Sequence, residues 1–268
     1  MNSYIGIFDS GMGGLSVLNR VVERHGDLPC IYLADTARIP FGNKSPSEIR
    51  SIAKELVDWL KYKEGSIVLV ACNTTNSLAF DIVESLSGVE VIDLIRSVES
   101  MIINESRIGV LATPATAASK AYSCQIKSVK PQAFVLEQGC PDLVPLIEAG
   151  KLNTEEIKLA VKEYLKPLLK AGVESIVLGC SHYPLLVPLL RQLLPINVRL
   201  IDPAIGLAER LDNFLGPPKV SQGSPISIAN TRICVTSSPS AFAKRVQNVM
   251  GNCPEVELVS LKSNSYFF

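Results

Sequence analysis

Ser175-Ile-Val-Leu-Gly-Cys180-Ser-His182-Tyr-Pro repeats the opening of an earlier stretch, Ser66-Ile-Val-Leu-Val-Ala-Cys72-Asn-Thr-Thr. In both, a short apolar run rich in β-branched residues leads to a cysteine and then to small polar residues. Such a run reads as a strand buried on both faces, as in a parallel sheet covered by helices. Each cysteine then falls at the carboxyl end of a strand, where open α/β sheets bind their ligands. Taken singly, a cysteine is a common small core residue, and two Ile-Val-Leu runs can coincide. The polar residues after both thiols are what set them apart.

Each cysteine strand has a second strand well upstream of it. Ile5-Gly-Ile-Phe opens the chain and delivers Asp9-Ser-Gly-Met-Gly-Gly14 into a turn, while Arg107-Ile-Gly-Val-Leu-Ala-Thr113 opens a later unit of the same character. Both halves thus share the order opening strand, intervening helices, cysteine strand. The economical reading is internal duplication, giving an α/β fold of two pseudo-symmetric domains with mainly parallel sheets flanked by helices. Between these anchors the pattern predicts a strand over Cys30–Ala34 and a helix entered through Ser47-Glu-Ile-Arg. Next come a helix over 76–86, a strand over 89–93 and a helical segment over 98–103. The second unit should hold helices over 119–129, 143–149, 154–169 and 185–194, with strands over 133–136 and 198–201. A helix from Asp202 to about Leu215, a loop from Gly216 to Ser227, strands over 232–236 and 256–261 and a helix over 239–250 complete the chain. This tail is too short to be a domain and should return to one of the sheets.

The chain has 268 residues, of which 47% are hydrophobic, enough for a substantial core and against disorder. Lys+Arg and Asp+Glu both number 26, so no basic excess is present to hold nucleic acid or an anionic membrane. The amino terminus lacks a basic stretch followed by a long apolar one, and a cytoplasmic protein is expected. Seven cysteines, with no Cys-x-x-Cys, argue for free thiols over a disulfide framework or a zinc site. Gly11-x-Gly13, followed by Asp35 at the end of a second strand, imitates a dinucleotide fingerprint. The glycines leave room for a ligand, and free N–H groups at the helix start would suit a carboxylate or phosphate. However, Ser16 stands where a third glycine is needed, and Asp9 would oppose a pyrophosphate.

Asp9-Ser-Gly-Met-Gly-Gly, Ala71-Cys-Asn-Thr74 and Leu178-Gly-Cys-Ser-His-Tyr-Pro-Leu, in that order and spacing, together resemble the glutamate racemases of the aspartate/glutamate racemase superfamily. The resemblance spans nearly the whole chain and implies an active site in the cleft between two α/β domains. It divides the chain into a first domain, 1–97 plus 208–268, and a second, 98–207. It implies racemisation of glutamate without organic cofactor or metal, supplying D-glutamate for peptidoglycan and so for cell-wall biogenesis and cell shape. An amino acid is then the small-molecule partner, with neither nucleic acid nor membrane involved, and a homodimer is compatible with the family.

The chemistry fits. Inverting an α-carbon needs one group to remove a proton from one face and another to deliver one to the opposite face, and two thiols satisfy that need. A free thiol is mostly protonated near neutrality, so its neighbours must activate it. By the resemblance Cys72 and Cys180 are the catalytic pair, Cys180 acting on L-glutamate and Cys72 on D-glutamate, assisted by Asp9, His182 and Glu148. Ser10, Asn73, Thr74, Thr113, Thr116 and Ser181 are implied to bind the substrate's amino and carboxylate groups, with the turn Pro40-Phe41-Gly42 lying against it. Taken alone, Thr113 or Thr116 could cap a helix, His182 could be a satisfied polar residue and Glu148 could be helix surface. Phe41 stands where the family usually has tyrosine, Thr75-Asn76 where it has a small Ala-Ser pair, and Ser181 where threonine is commoner. The alternatives are aspartate racemisation, a nicotinamide-dependent oxidoreductase and an amino-acid-binding protein without turnover.

Overall fold

The computed structural model describes residues 4–63, 65–218, 220 and 226–261. The first half runs β1 (Tyr4–Asp9), α1 (Leu15–His25), β2 (Cys30–Ala34), α2 (Pro46–Tyr62), β3 (Gly65–Val70), α3 (Asn73–Ser87) and β4 (Glu90–Asp93). The second runs β5 (Arg107–Ala112), α4 (Pro114–Ser119), α5 (Ala121–Val129), β6 (Phe134–Gly139), α6 (Leu143–Glu148), α7 (Glu155–Lys170), β7 (Ser175–Gly179), α8 (Val187–Leu193) and β8 (Arg199–Ile201). The tail adds α9 (Pro203–Arg210), α10 (Asp212–Leu215), β9 (Thr231–Val235), α11 (Pro239–Met250) and β10 (Val256–Leu258). The loop expected from Gly216 to Ser227 lies partly outside the described residues. Among the described residues no helix is long and apolar enough to cross a membrane.

The strands form two wholly parallel sheets, ordered β10-β9-β2-β1-β3-β4 and β6-β5-β7-β8. Four consecutive strands have the same order in each, so β1 corresponds to β5 and the two cysteine strands, β3 and β7, correspond to one another. The duplication read from the sequence is thus a duplication of topology. The tail joins the first sheet, with β9 beside β2. Apolar side chains pack on both faces of each sheet, which is why the strands read as continuous apolar runs. Leu60 of α2 rests against Gly6, and Leu168 of α7 against Gly109, a matched pair of contacts in the two units.

Several helix boundaries differ from the sequence reading, each for a local reason. Helix α3 begins at Asn73 and not near Asn76, because Cys72 itself, in extended backbone, is its N-cap. Thr113, expected to end a strand, lies just past β5 and caps α4, its hydroxyl accepting from the N–H of Thr116, with Pro114 at the first helical position. That early start is followed by Lys120 at φ 59°, which splits the helix expected over 119–129 into α4 and α5. The helical segment expected over 98–103 is a 3-10 turn at Arg96–Met101, and the helix expected over 185–194 begins as a 3-10 turn at Tyr183–Leu186. Helix α2 is set by a capping box in which the Ser45 hydroxyl accepts from Glu48 N–H while Glu48 accepts from Ser45 N–H.

Candidate active site

Both cysteines stand one or two residues past the ends of corresponding strands and face one small cavity between the sheets. It has about 20 Å³ of free space, room for about one water, and is lined by Ser10, Phe41, Gly42, Cys72, Asn73, Thr74, Thr113, Val144, Cys180, Ser181 and His182. Its polar groups are hydroxyls, one amide, the two thiols and the imidazole of His182, with no arginine. Of the residues singled out in the sequence, Pro40 lines an adjoining space with Gly42, Thr113 and Cys140. Thr116 stands behind the wall, fully buried, its hydroxyl accepting from Thr113 Oγ1 at 3.0 Å and from Ser77 Oγ at 3.4 Å. Thr74 and Thr113 meet across the cleft at 3.1 Å. Val144, and Tyr122, whose hydroxyl donates to Asn73 Oδ1 at 2.5 Å, carried no signal in the sequence beyond membership of a helix.

The glycine turn after β1 is filled from within. Asp9 Oδ2 accepts from the N–H groups of Gly11 at 3.0 Å and Gly14 at 2.9 Å, and Oδ1 accepts from Ser181 Oγ at 3.2 Å. This corrects the expectation that these N–H groups are free for a ligand anion, because the carboxylate of the same loop already occupies them. A pyrophosphate has no place there, which removes the dinucleotide reading. The glycines are needed for close approach, since a Cβ at Gly13 would lie 2.4 Å from both His182 Nδ1 and Ser181 Oγ. Ser16 on α1 adds a bond to the carbonyl of Ser181 at 2.8 Å.

The two thiols are equally buried, each 4% exposed, so burial alone does not distinguish them. Their partners do. Burial pushes the Cys72 thiol up to about 12, the Asp9 carboxylate adds to this, and the hydroxyl and N–H of Thr75 oppose it. Cys180 Sγ lies 3.8 Å from His182 Nδ1, and His182 Nε2 lies 2.8 Å from Glu148 Oε1 at the end of α6. Burial would pull the imidazole down, but its bonds to Cys180 and Glu148 outweigh it and hold His182 up at about 10. Glu148 is likewise desolvated, yet His182 and Arg245 keep its carboxyl below the ordinary range. A protonated imidazole beside a thiol favours the thiolate. The cavity therefore has a protonated thiol on one wall and a thiol with a cationic partner on the other.

Beneath the first cysteine, Asn76 ties three segments together. Its Nδ2 donates to the carbonyls of Val70 at 2.8 Å and Cys72 at 2.7 Å, and its Oδ1 accepts from Leu94 N–H at 3.1 Å. The departure at Thr75-Asn76 is thus a polar staple between the ends of β3 and β4. Phe41 lines the cavity without a hydroxyl and is 2% exposed.

Two parallel sheets of matched topology, presenting two thiols to one polar cleft, define an α/β enzyme of acid–base type. The sequence profile of the family described as Asp/Glu/Hydantoin racemase matches residues 6–211, and the chain belongs to that family. It is an amino-acid racemase. It is 53% identical to a glutamate racemase of Synechococcus sp. (strain CC9605), over 95% of this chain and 96% of that protein. It is 44% identical to one from Prochlorococcus marinus (strain NATL2A), over 98% of each. Among solved structures, glutamate racemase from Francisella tularensis in complex with D-glutamate superposes with a TM-score of 0.87 at 32% identity, covering 98% of this chain and 99% of that one.

Proposed function

We propose that the protein interconverts L- and D-glutamate by passing protons between Cys72 and Cys180. The observation that carries this reading is the placement of the two thiols at corresponding strand ends on opposite sides of one cavity. In one direction the Cys180 thiolate takes the α-proton and becomes a thiol, while the Cys72 thiol gives its proton to the opposite face and becomes a thiolate. The reverse reaction exchanges the roles. Cys72, whose thiol burial keeps protonated, is placed to give a proton and Cys180, beside His182, to take one, and by the family resemblance Cys180 acts on the L-enantiomer. Ser10, Asn73, Thr74, Thr113 and Ser181 offer donors for the substrate's charged groups, with Phe41 and Gly42 against it. Pro40 and Thr116 would support this wall from behind, while Asp9 holds Ser181 and the glycine turn.

Glutamate as substrate rests on the relatives, 53% and 44% identical over nearly full length, whose described activity is glutamate racemisation. We assign residues 1–97 and 208–268 to one domain and 98–207 to the other, a division supported by the strands of each lying in a separate sheet, although α9 crosses the second boundary and packs with the first sheet. Supply of D-glutamate for peptidoglycan, a cytoplasmic location and a homodimer complete the proposal, the last to be read by sedimentation. The decisive assay incubates the purified protein, without added cofactor, with each enantiomer of glutamate and of aspartate in deuterated water. Newly formed enantiomer should carry deuterium at the α-carbon while unreacted substrate stays protonated at early conversion. Product that retains the original hydrogen, or substrate that fills with deuterium as fast as product forms, would exclude two monoprotic carriers.

A further inference from the structure

Glu148 is gripped from two directions. Its Oε1 faces His182 Nε2 at 2.8 Å and accepts from the N–H of Met12 at 3.4 Å, whereas its buried Oε2 has no hydrogen bond and is held by charge alone, in an ion pair with Arg245 Nη1 at 2.7 Å. Arg245 Nη2 also donates to the carbonyl of Glu148 itself at 3.4 Å, so one guanidinium holds both ends of the residue. Arg245 projects from α11, which belongs to the first sheet's side, while Glu148 and His182 belong to the second. The helix that carries it is anchored independently of Glu148. Phe242, one helical turn earlier, is buried and stacks on Tyr32 with ring centroids 6.3 Å apart, and the Tyr32 hydroxyl donates to Gly11 O at 2.7 Å. The arginine therefore extends from a helix anchored under the same glycine turn that packs on His182.

A glutamate side chain has three rotatable bonds, and at the exposed end of a short helix it would sample several rotamers. Here it is held in one, with a single oxygen turned to the imidazole. An exposed ion pair is worth little, a fraction of a kcal/mol to about 1 kcal/mol. In this pair the carboxylate is largely buried, with 12% of its side chain exposed, and its second oxygen is committed to His182. We propose that Arg245 is a positioning residue for racemisation: by holding Glu148 Oε2 it fixes Oε1 on His182, and so fixes the imidazole that addresses Cys180. This rests on the two-thiol reading above. The arginine touches neither thiol nor the cavity and acts only through the carboxylate.

The test compares wild type with Arg245→Gln, Arg245→Lys, Glu148→Gln and the double variant Glu148→Gln/Arg245→Gln, measuring kcat and KM for both glutamate enantiomers. Arg245→Gln should lower kcat about tenfold or more, a misplacement effect, with KM changed less than about twofold. Arg245→Lys, which keeps the charge but not the fork, should recover part of the loss. In the Glu148→Gln background, Arg245→Gln should add less than about twofold, because the pathway is already cut. Thermal melting of each variant reports folding, and should Arg245→Gln fail to fold, the lysine variant and its own cycle with Glu148→Gln carry the same comparison. A rise in KM with unchanged kcat would make Arg245 a clasp between the two units only. A full loss that persists without Glu148 would also overturn the proposal. Absence of racemisation by wild type would instead refute the functional reading, leaving the two failures distinguishable.

Discussion

Replacing Asn76 with alanine tests the polar staple under the first cysteine. The substitution removes two donated bonds, to Val70 O and Cys72 O, and leaves the N–H of Leu94 without its acceptor. The Cys72 carbonyl keeps a partner in the N–H of Asn76 at 2.9 Å, so it is the least affected. Asn76 is 5% exposed and Leu94 2%, so water cannot replace the lost groups without opening the structure. A buried donor left unsatisfied costs about 1–3 kcal/mol and each ordinary bond contributes about 1 kcal/mol, giving a loss of roughly 2–4 kcal/mol. For a chain of this size each kcal/mol moves Tm by about 2–4 °C, so a drop of the order of 10 °C is expected. Urea denaturation and calorimetry measure it, with kcat followed in parallel because the staple also holds the turn that carries Cys72. Asn76→Ser, which cannot reach both sides, should fall close to the alanine variant. A loss below about 0.5 kcal/mol would show that the three bonds are exchanged with water at no cost and would refute the reasoning.

Cys72→Ala and Cys180→Ala should each lower racemisation by orders of magnitude at unchanged fold, checked by circular dichroism and chiral chromatography; substantial turnover by either would sink the thiol pair. Replacement of Cys30, Cys124, Cys140, Cys234 or Cys253 should cost at most packing energy, up to a few kcal/mol. Gly13→Ala puts a methyl 2.4 Å from His182 Nδ1 and Ser181 Oγ, so kcat should fall more than stability; wild-type kinetics would mean that the loop shifts freely. The folded His182 is held at about 10 against an ordinary 6.5, so its contribution to stability is complete below about pH 6.5 and is lost as pH rises through about 10. Urea midpoints measured from neutral to alkaline pH should therefore fall more steeply for wild type than for His182→Asn, and parallel profiles would contradict the assignment.

The strands β2 and β7 and the helix α11 lie where the residue pattern put them, because a two-faced apolar run or an amphipathic repeat reports the burial of the element that carries it. The cysteines were legible for the same reason, each standing just past such a strand, whereas Asn73, Thr74 and Ser181 were marked by the family resemblance and lie in the cavity lining. Boundaries failed where a cap decided them. Cys72 and Thr113 look like strand ends in sequence, and they keep extended backbone, yet the helices that begin at the next residue make them N-caps.

What the sequence determined alone was the duplicated α/β plan and the pair of thiols at matching strand ends, since both depend on local order along the chain. The tertiary structure decided which polar groups meet. Asp9 closing its own glycine turn, Asn76 reaching Leu94, Tyr122 reaching Asn73 and Arg245 reaching Glu148 leave no periodic trace. A hydrophobic pattern states which side of an element is buried, whereas the partner of a buried donor or charge is fixed only when the sheets and their helices have packed together.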